Sequence, residues 1–181
     1  MTTLETDRLI LRMWREADFE EYAAICADPD VMRYLTGKPF SRLEAWRHMA
    51  FMVGHWQLRG YGHWAVEEKA SGRLIGRMGF LHPDGWPGFE VGWTLGKSWW
   101  GRGYASEGAR RMLRYAFEDI GREHVISVIH PENRASIRVA ERLGETPEGK
   151  TEILDMPALI YGIAKATWEA NRGGEMTHSR R

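Results

Sequence analysis

A chain of 181 residues, 43% of them hydrophobic, suits one domain with a substantial core. Lysine plus arginine equals aspartate plus glutamate at 25 each, which leaves no electrostatic footprint for nucleic acid or an anionic membrane. The apolar runs are too short to span a bilayer and the first residues carry no signal pattern, so a cytoplasmic location is expected. One cysteine, Cys26, excludes an internal disulfide, and the histidines show no paired ligand spacing, so no metal is expected.

Arg8 to Trp14 reads as a strand with Leu9, Leu11 and Met13 on one face. An acidic start containing Asp18 opens a helix from about Glu16 to Ala27, stopped by Asp28-Pro29; Cys26 falls on its apolar stripe with Phe19, Tyr22 and Ala23 and reads as a core thiol. Residues 30–40, with Gly37 and Pro39, read as a loop. Ser41 with Glu44 three residues on is a capping box, and the helix it opens carries Leu43, Trp46, Ala50 and Val53 on one side and ends near Gly60. His63 to Glu68 and Leu74 to Leu81 are strands joined as a hairpin at Ala70-Ser71-Gly72.

A turn over His82 to Gly88 leads to a strand from Phe89 to Leu95, which feeds a glycine turn. The helix beyond it has apolar positions at Ala105, Ala109, Met112, Leu113, Ala116, Phe117 and Ile120. Val125 to Ile129 is a further strand, and Arg134 to Leu143 a helix stopped at Gly144. Thr146 to Ile153 and Ala158 to Thr167 are two final strands across a turn at Leu154-Asp155-Met156-Pro157. The tail, residues 172–181, is expected to be disordered, leaving residues 1–171 as a single α+β domain around a mixed sheet of about seven strands.

The turn Trp99-Trp100-Gly101-Arg102-Gly103-Tyr104-Ala105-Ser106-Glu107 lies between strand and helix. Glycines let the backbone approach a ligand, and the unpaired N–H groups of a first helical turn attract an anion, although a tight turn alone would also use glycine. Two better-known phosphate loops fail here. Gly92-Trp93-Thr94-Leu95-Gly96-Lys97-Ser98 has three residues between its glycines where a P-loop needs four. Gly101-x-Gly103-x-x-Ser106 puts serine at the third glycine of a dinucleotide fingerprint.

The spacing does resemble Gln/Arg-x-x-Gly-x-Gly/Ala, read here through Trp100-Gly101-Arg102-Gly103-Tyr104-Ala105, the acetyl-CoA pyrophosphate loop of the GNAT N-acetyltransferase superfamily. Trp100 replaces Gln or Arg, in the Trp-Gly-x-Gly-Tyr-Ala-x-Glu form typical of the subgroup with the ribosomal-protein N-terminal acetyltransferases. The resemblance runs from about Thr6 to Trp168. It implies a mostly antiparallel sheet with helices on both faces, splayed between the strands at Phe89 to Leu95 and Val125 to Ile129.

It also implies acetyl transfer from acetyl-CoA to a primary amine by direct attack in a ternary complex. The backbone of Gly101, Arg102, Gly103, Tyr104, Ala105 and Ser106 would hold the pyrophosphate, with Val91, Gly92, Trp93 and Thr94 along the pantetheine arm. Glu90 matches the carboxylate that takes the amine proton; a sheet carboxylate facing solvent is the other reading, and His82 is a weaker rival base. Asn133 and Ser136 match the second cofactor motif, Asn133 for the pantetheine amide and Ser136 near the sulfur as a proton donor to the thiolate. Asn133 also suits an N-cap and Ser136 an ordinary helix position. Glu145 departs from the aromatic residue usual after Gly144.

The acceptor would be a ribosomal or other protein N-terminus, or a small amine, chosen by the segments Asp28 to Ser41 and Lys150 to Pro157. Family members often form homodimers. A domain that keeps the CoA loop without turnover is the alternative from another class, and a P-loop-like nucleotide binder a remoter one.

Overall fold

The structure, a computed structural model, describes residues 2–178. One eight-stranded sheet runs in the order β1-β2-β3-β4-β5-β6-β8-β7. Its strands are β1 (Leu4–Glu5), β2 (Leu9–Arg12), β3 (His63–Glu68), β4 (Arg73–Leu81), β5 (Glu90–Leu95), β6 (His124–Ile129), β7 (Thr146–Ile153) and β8 (Met156–Ala164). Six α-helices accompany it among the described residues: α1 (Phe19–Cys26), α2 (Pro29–Met32), α3 (Arg42–Arg59), α4 (Tyr104–Arg114), α5 (Arg134–Leu143) and α6 (Lys165–His178). The short β1 brings the strand number above the expected seven.

Alternation along the strands builds a core on each face. Trp64 and Val66 of β3 join Met112, Leu113 and Phe117 under α4, whereas Ala65, between them, joins Tyr22, Cys26 and Met49 from α1 and α3. Gly108 lets α4 press against the sheet, since a Cβ there would collide with the Met78 sulfur. That fixes where the helix's amino end lies.

All neighbouring strands are antiparallel except β5 and β6, which pair in parallel through Glu90 and Ile126. Ile126 N–H reaches Phe89 O at 3.0 Å, and Ser127 Oγ–H reaches Val91 O at 3.1 Å; among the described residues no further register pair joins these strands. The sheet therefore splays in its middle.

Local signals set most boundaries. Ser41 and Glu44 form the capping box, and Gly60 ends α3 in the left-handed region. Asn133 caps α5 through Ser136 N–H at 3.1 Å, and Gly144 ends it at φ 86°. Leu154 and Asp155, both at positive φ, make the two-residue hairpin between β7 and β8.

Four expectations need correction. The side of α3 carrying Leu43, Trp46 and Val53 faces solvent, at 57%, 53% and 44% exposure, while Ala45, Met49, Met52 and Trp56 are buried. Both sets have helical spacing, so periodicity alone could not choose; Trp56 packs on Trp64 and donates to His63 O. The last strand ends at Ala164, and Lys165 opens α6, whose Trp168 packs on Phe117. The expected disordered tail from Arg172 overlaps this helix as far as His178, and residues 179–181 lie outside the described residues. The expected loop over residues 30–40 begins inside α2, capped by Asp28.

Candidate active site

Two cavities meet where the sheet splays. The first, of about 340 Å³, lies over the amino end of β3, the carboxyl half of β4 and most of β5, and the second, a groove of about 670 Å³, runs past the amino ends of α4 and α5. Trp93, Thr94, Asn133 and Ser136 line both. Residues that the sequence pattern drew from two separate segments thus share one junction.

The groove begins at the glycine turn. Gly101 and Gly103 hold φ 73° and 83°, a left-handed backbone that favours glycine, and Gly103 is the N-cap of α4. With no side chain at the cap, the first-turn N–H groups of Tyr104, Ala105 and Ser106 have no capping partner, and these residues line the groove. Arg8 bonds Arg102 O at 3.0 Å and pairs with Glu107, so the turn is tied to the edge of the sheet. The Arg102 guanidinium lies over the Trp99 ring and is not among the groove's lining residues. Arg134, Arg138 and Arg142 supply the cationic wall instead, four residues apart along one side of α5. Sequence reasoning missed these, because arginines on a helix read as solvated charge until a groove is seen beside them.

The first cavity holds Glu90, which is 9% exposed and not the solvent-facing carboxylate of the alternative reading. Burial pushes its pKa up to about 7 from the ordinary 4.5, against the opposing pull of the Trp86 indole N–H at 2.6 Å, Arg77 and the Val128 N–H. A carboxyl with that value exchanges protons near neutrality. Val91, Gly92, Trp93 and Thr94 line the same space. Met32, Tyr34 and Phe40 reach it from the segment after Asp28, and Ile153 and Met156 from the β7–β8 hairpin, so both segments expected to choose the acceptor line this cavity. His82 does not line it; its backbone N–H faces His55.

A second buried carboxyl, Glu145, sits behind the splay at 3% exposure. Its Oε1 is 3.1 Å from Ser127 Oγ, which is also 3.1 Å from Val91 O. The hydroxyl has one hydrogen, and the carbonyl can only accept it, so both contacts are satisfied together when Glu145 is protonated and donates to Ser127. Burial pushes its pKa to about 8, with Ser127 opposing and the charges of Glu90 and Glu148 adding to the rise. His63, also missed from sequence, lines the cavity from β3. No cluster of metal-ligating side chains occurs among the described residues.

Residues 8–146 match the family model described as an acetyltransferase (GNAT) domain. The chain belongs to the GNAT acetyltransferase family. Among GNAT relatives, the acetyltransferase of Agrobacterium tumefaciens str. C58 superposes with a TM-score of 0.81 at 32% identity, covering 90% of this chain and 94% of that one. The N-acetyltransferase p20 of Bacillus licheniformis is 31% identical over 82% of this chain and 85% of its own. The FsC-acetyl coenzyme A-N(2)-transacetylase of Aspergillus fumigatus is 32% identical over 98% of this chain and 83% of its own.

Proposed function

We propose that this GNAT protein moves an acetyl group from acetyl-CoA to a primary amine, with both reactants bound at once. The observation that carries this reading is the junction of the two cavities at Trp93, Thr94, Asn133 and Ser136, with Glu90 on the side away from the groove. The groove suits a long anionic ligand: a side-chain-free helix cap at one end, three arginines along a wall, and an exit into the first cavity. A CoA thioester bound there would supply an activated acetyl group.

The protein's own residues have separate tasks. Glu90 accepts a proton from the incoming ammonium, directly or through water, and its pKa of about 7 lies near the operating pH. An amine nitrogen attacks only with its lone pair free, so this step controls the nucleophile. The backbone N–H of Trp93, on the side of β5 turned from β4 toward the splay, donates to the carbonyl oxygen as it becomes negative. Ser136 stands at the junction to hydrogen-bond the departing sulfur, for which a thiol of pKa ~8.5 needs little acid help. Asn133 does a structural task with Oδ1, capping α5, and lines both cavities, where its amide N–H groups are donors available to the ligand. Direct attack fits because Cys26, the one thiol, is buried and its pKa is raised by burial, which leaves no obvious covalent acyl carrier.

The test is thiol release from acetyl-CoA across a panel of amines and N-terminal peptides. Release that depends on an amine supports the reading. CoA binding without turnover on any amine would replace it with a ligand-binding domain.

A further inference from the structure

The first cavity contains a hydrogen-bond donor that no described residue uses. His63 stands in one row with Gly79 of β4 and Gly92 of β5, and its imidazole reaches across the row: a Cβ on Gly92 would lie 3.3 Å from His63 Cε1. The backbone of His63 is pinned by two indoles, since its carbonyl accepts from Trp14 Nε1 at 2.9 Å and Trp56 Nε1 at 3.0 Å. Its Nδ1 is 2.7 Å from an Arg77 guanidinium nitrogen. A guanidinium has only hydrogens to give, so Nδ1 accepts and the proton resides on Nε2. Nε2 has no partner, and the residue is 1% exposed.

His63 lines the cavity, and its Nε2 lies on the side of the ring nearest Gly92 and Glu90. The same point beside Gly92 is 3.5 Å from His63 Nε2 and 3.4 Å from Glu90 Oε1, so donor and base flank one small space. Charge narrows what can enter. Among the described residues lining the cavity, Glu90 is the one carboxylate and Arg77 the one guanidinium, while Phe40, Phe51, Trp86 and Trp93 make apolar walls. A polyamine would have no second carboxylate to meet its second charge.

Resting on the transferase reading above, we propose that His63 selects the acceptor: its Nε2–H donates to an oxygen near the amine, so the preferred acceptors are α-amino carbonyl compounds with an apolar side chain. A peptide N-terminus and a free amino-acid amide both present this unit. An alkylamine of the same shape leaves the buried N–H unpaired, and that difference is worth roughly tenfold to a hundredfold in kcat/KM.

The experiment compares phenylalaninamide with phenethylamine, which lacks the carboxamide, and adds spermidine and a peptide beginning with phenylalanine. The enzymes are the wild type, His63→Phe and His63→Gln. The amide-to-amine ratio of kcat/KM is expected to fall by about tenfold or more in His63→Phe, to recover in part in His63→Gln, which restores an N–H, and spermidine is expected to be a poor acceptor. Comparing ratios between enzymes cancels the unequal basicity of the two amines. An equal loss on both amines, or efficient use of spermidine by the wild type, would overturn the proposal while leaving the transferase reading intact. No thiol release with any amine removes the transferase reading itself. If His63→Phe does not fold, a lower ratio in His63→Gln than in the wild type supports the role, and an unchanged use of spermidine and amide alike opposes it. A strong preference for the peptide over the free amide would identify protein N-termini as the source of the unit.

Discussion

Replacing Glu145 by glutamine tests the protonation state of the splayed sheet. Its pKa rises from 4.5 to about 8 in the folded protein, so between those values the folded chain keeps a proton that the unfolded chain has lost. Stability must then fall as pH rises through that window, by ~1.4 kcal/mol per unit, to a total of ~5 kcal/mol above it. Glutamine does not titrate, and its amide donates to Ser127 as the carboxylic acid would. At about pH 5 Glu145→Gln and the wild type should unfold at similar urea concentrations, whereas at about pH 9 the variant should be the more stable, by up to ~5 kcal/mol. Water reaching the ionised carboxylate would reduce the figure without changing its sign. The pH dependence of Glu90 is present in both proteins and largely cancels. A stability difference that stays constant from acid to alkaline pH would refute the reasoning, since it would show Glu145 to be ionised throughout.

Other substitutions probe the chemistry. Glu90→Gln should lower kcat by ~100-fold or more with CoA affinity, read by calorimetry, unchanged; the activity limb that rises with pH around 7 in the wild type should vanish with it, because the base acts only when ionised. Gly92→Ala places a methyl 3.3 Å from His63 Cε1 and 3.4 Å from Glu90 Oε1, so the KM for the amine should rise roughly tenfold while the melting temperature changes little. Gly103→Ala forces a Cβ into a backbone with φ 83°, at a cost of ~1 kcal/mol in urea unfolding, and should weaken CoA binding because the cap must move.

Much of the fold was legible because its signals are local. The capping pair Ser41 and Glu44, the stop at Gly144, and the glycines at 101 and 103 act within a few residues of themselves, and each does in the structure what its spacing requires. The cavity over Glu90 was legible only as a strand position with a carboxylate on it. What escaped was set by partners far along the chain. His63 acquires its role from strand register, which aligns it with Gly79 and Gly92, and from Arg77, which fixes its tautomer. Glu145 read only as a departure from the aromatic residue usual after Gly144, and its burial against Ser127 makes it a titrating group. On α3, two apolar stripes of equal spacing competed, and the sheet chose between them. The onset of α6 at Lys165 was hidden inside a run that also suits a strand.

The single parallel pairing between Glu90 and Ile126 also bears on how the backbone exchanges with solvent. In most sheets, amide hydrogens are slowest to trade for deuterium at the centre and fastest at the rim. Here the interruption is central, so the amides of β5 and β6 that turn toward each other beyond this pair should trade quickly while those turned toward β4 and β8 stay slow. An alternating pattern along two interior strands would be its signature, and a ligand laid into the gap should erase the alternation on both at once.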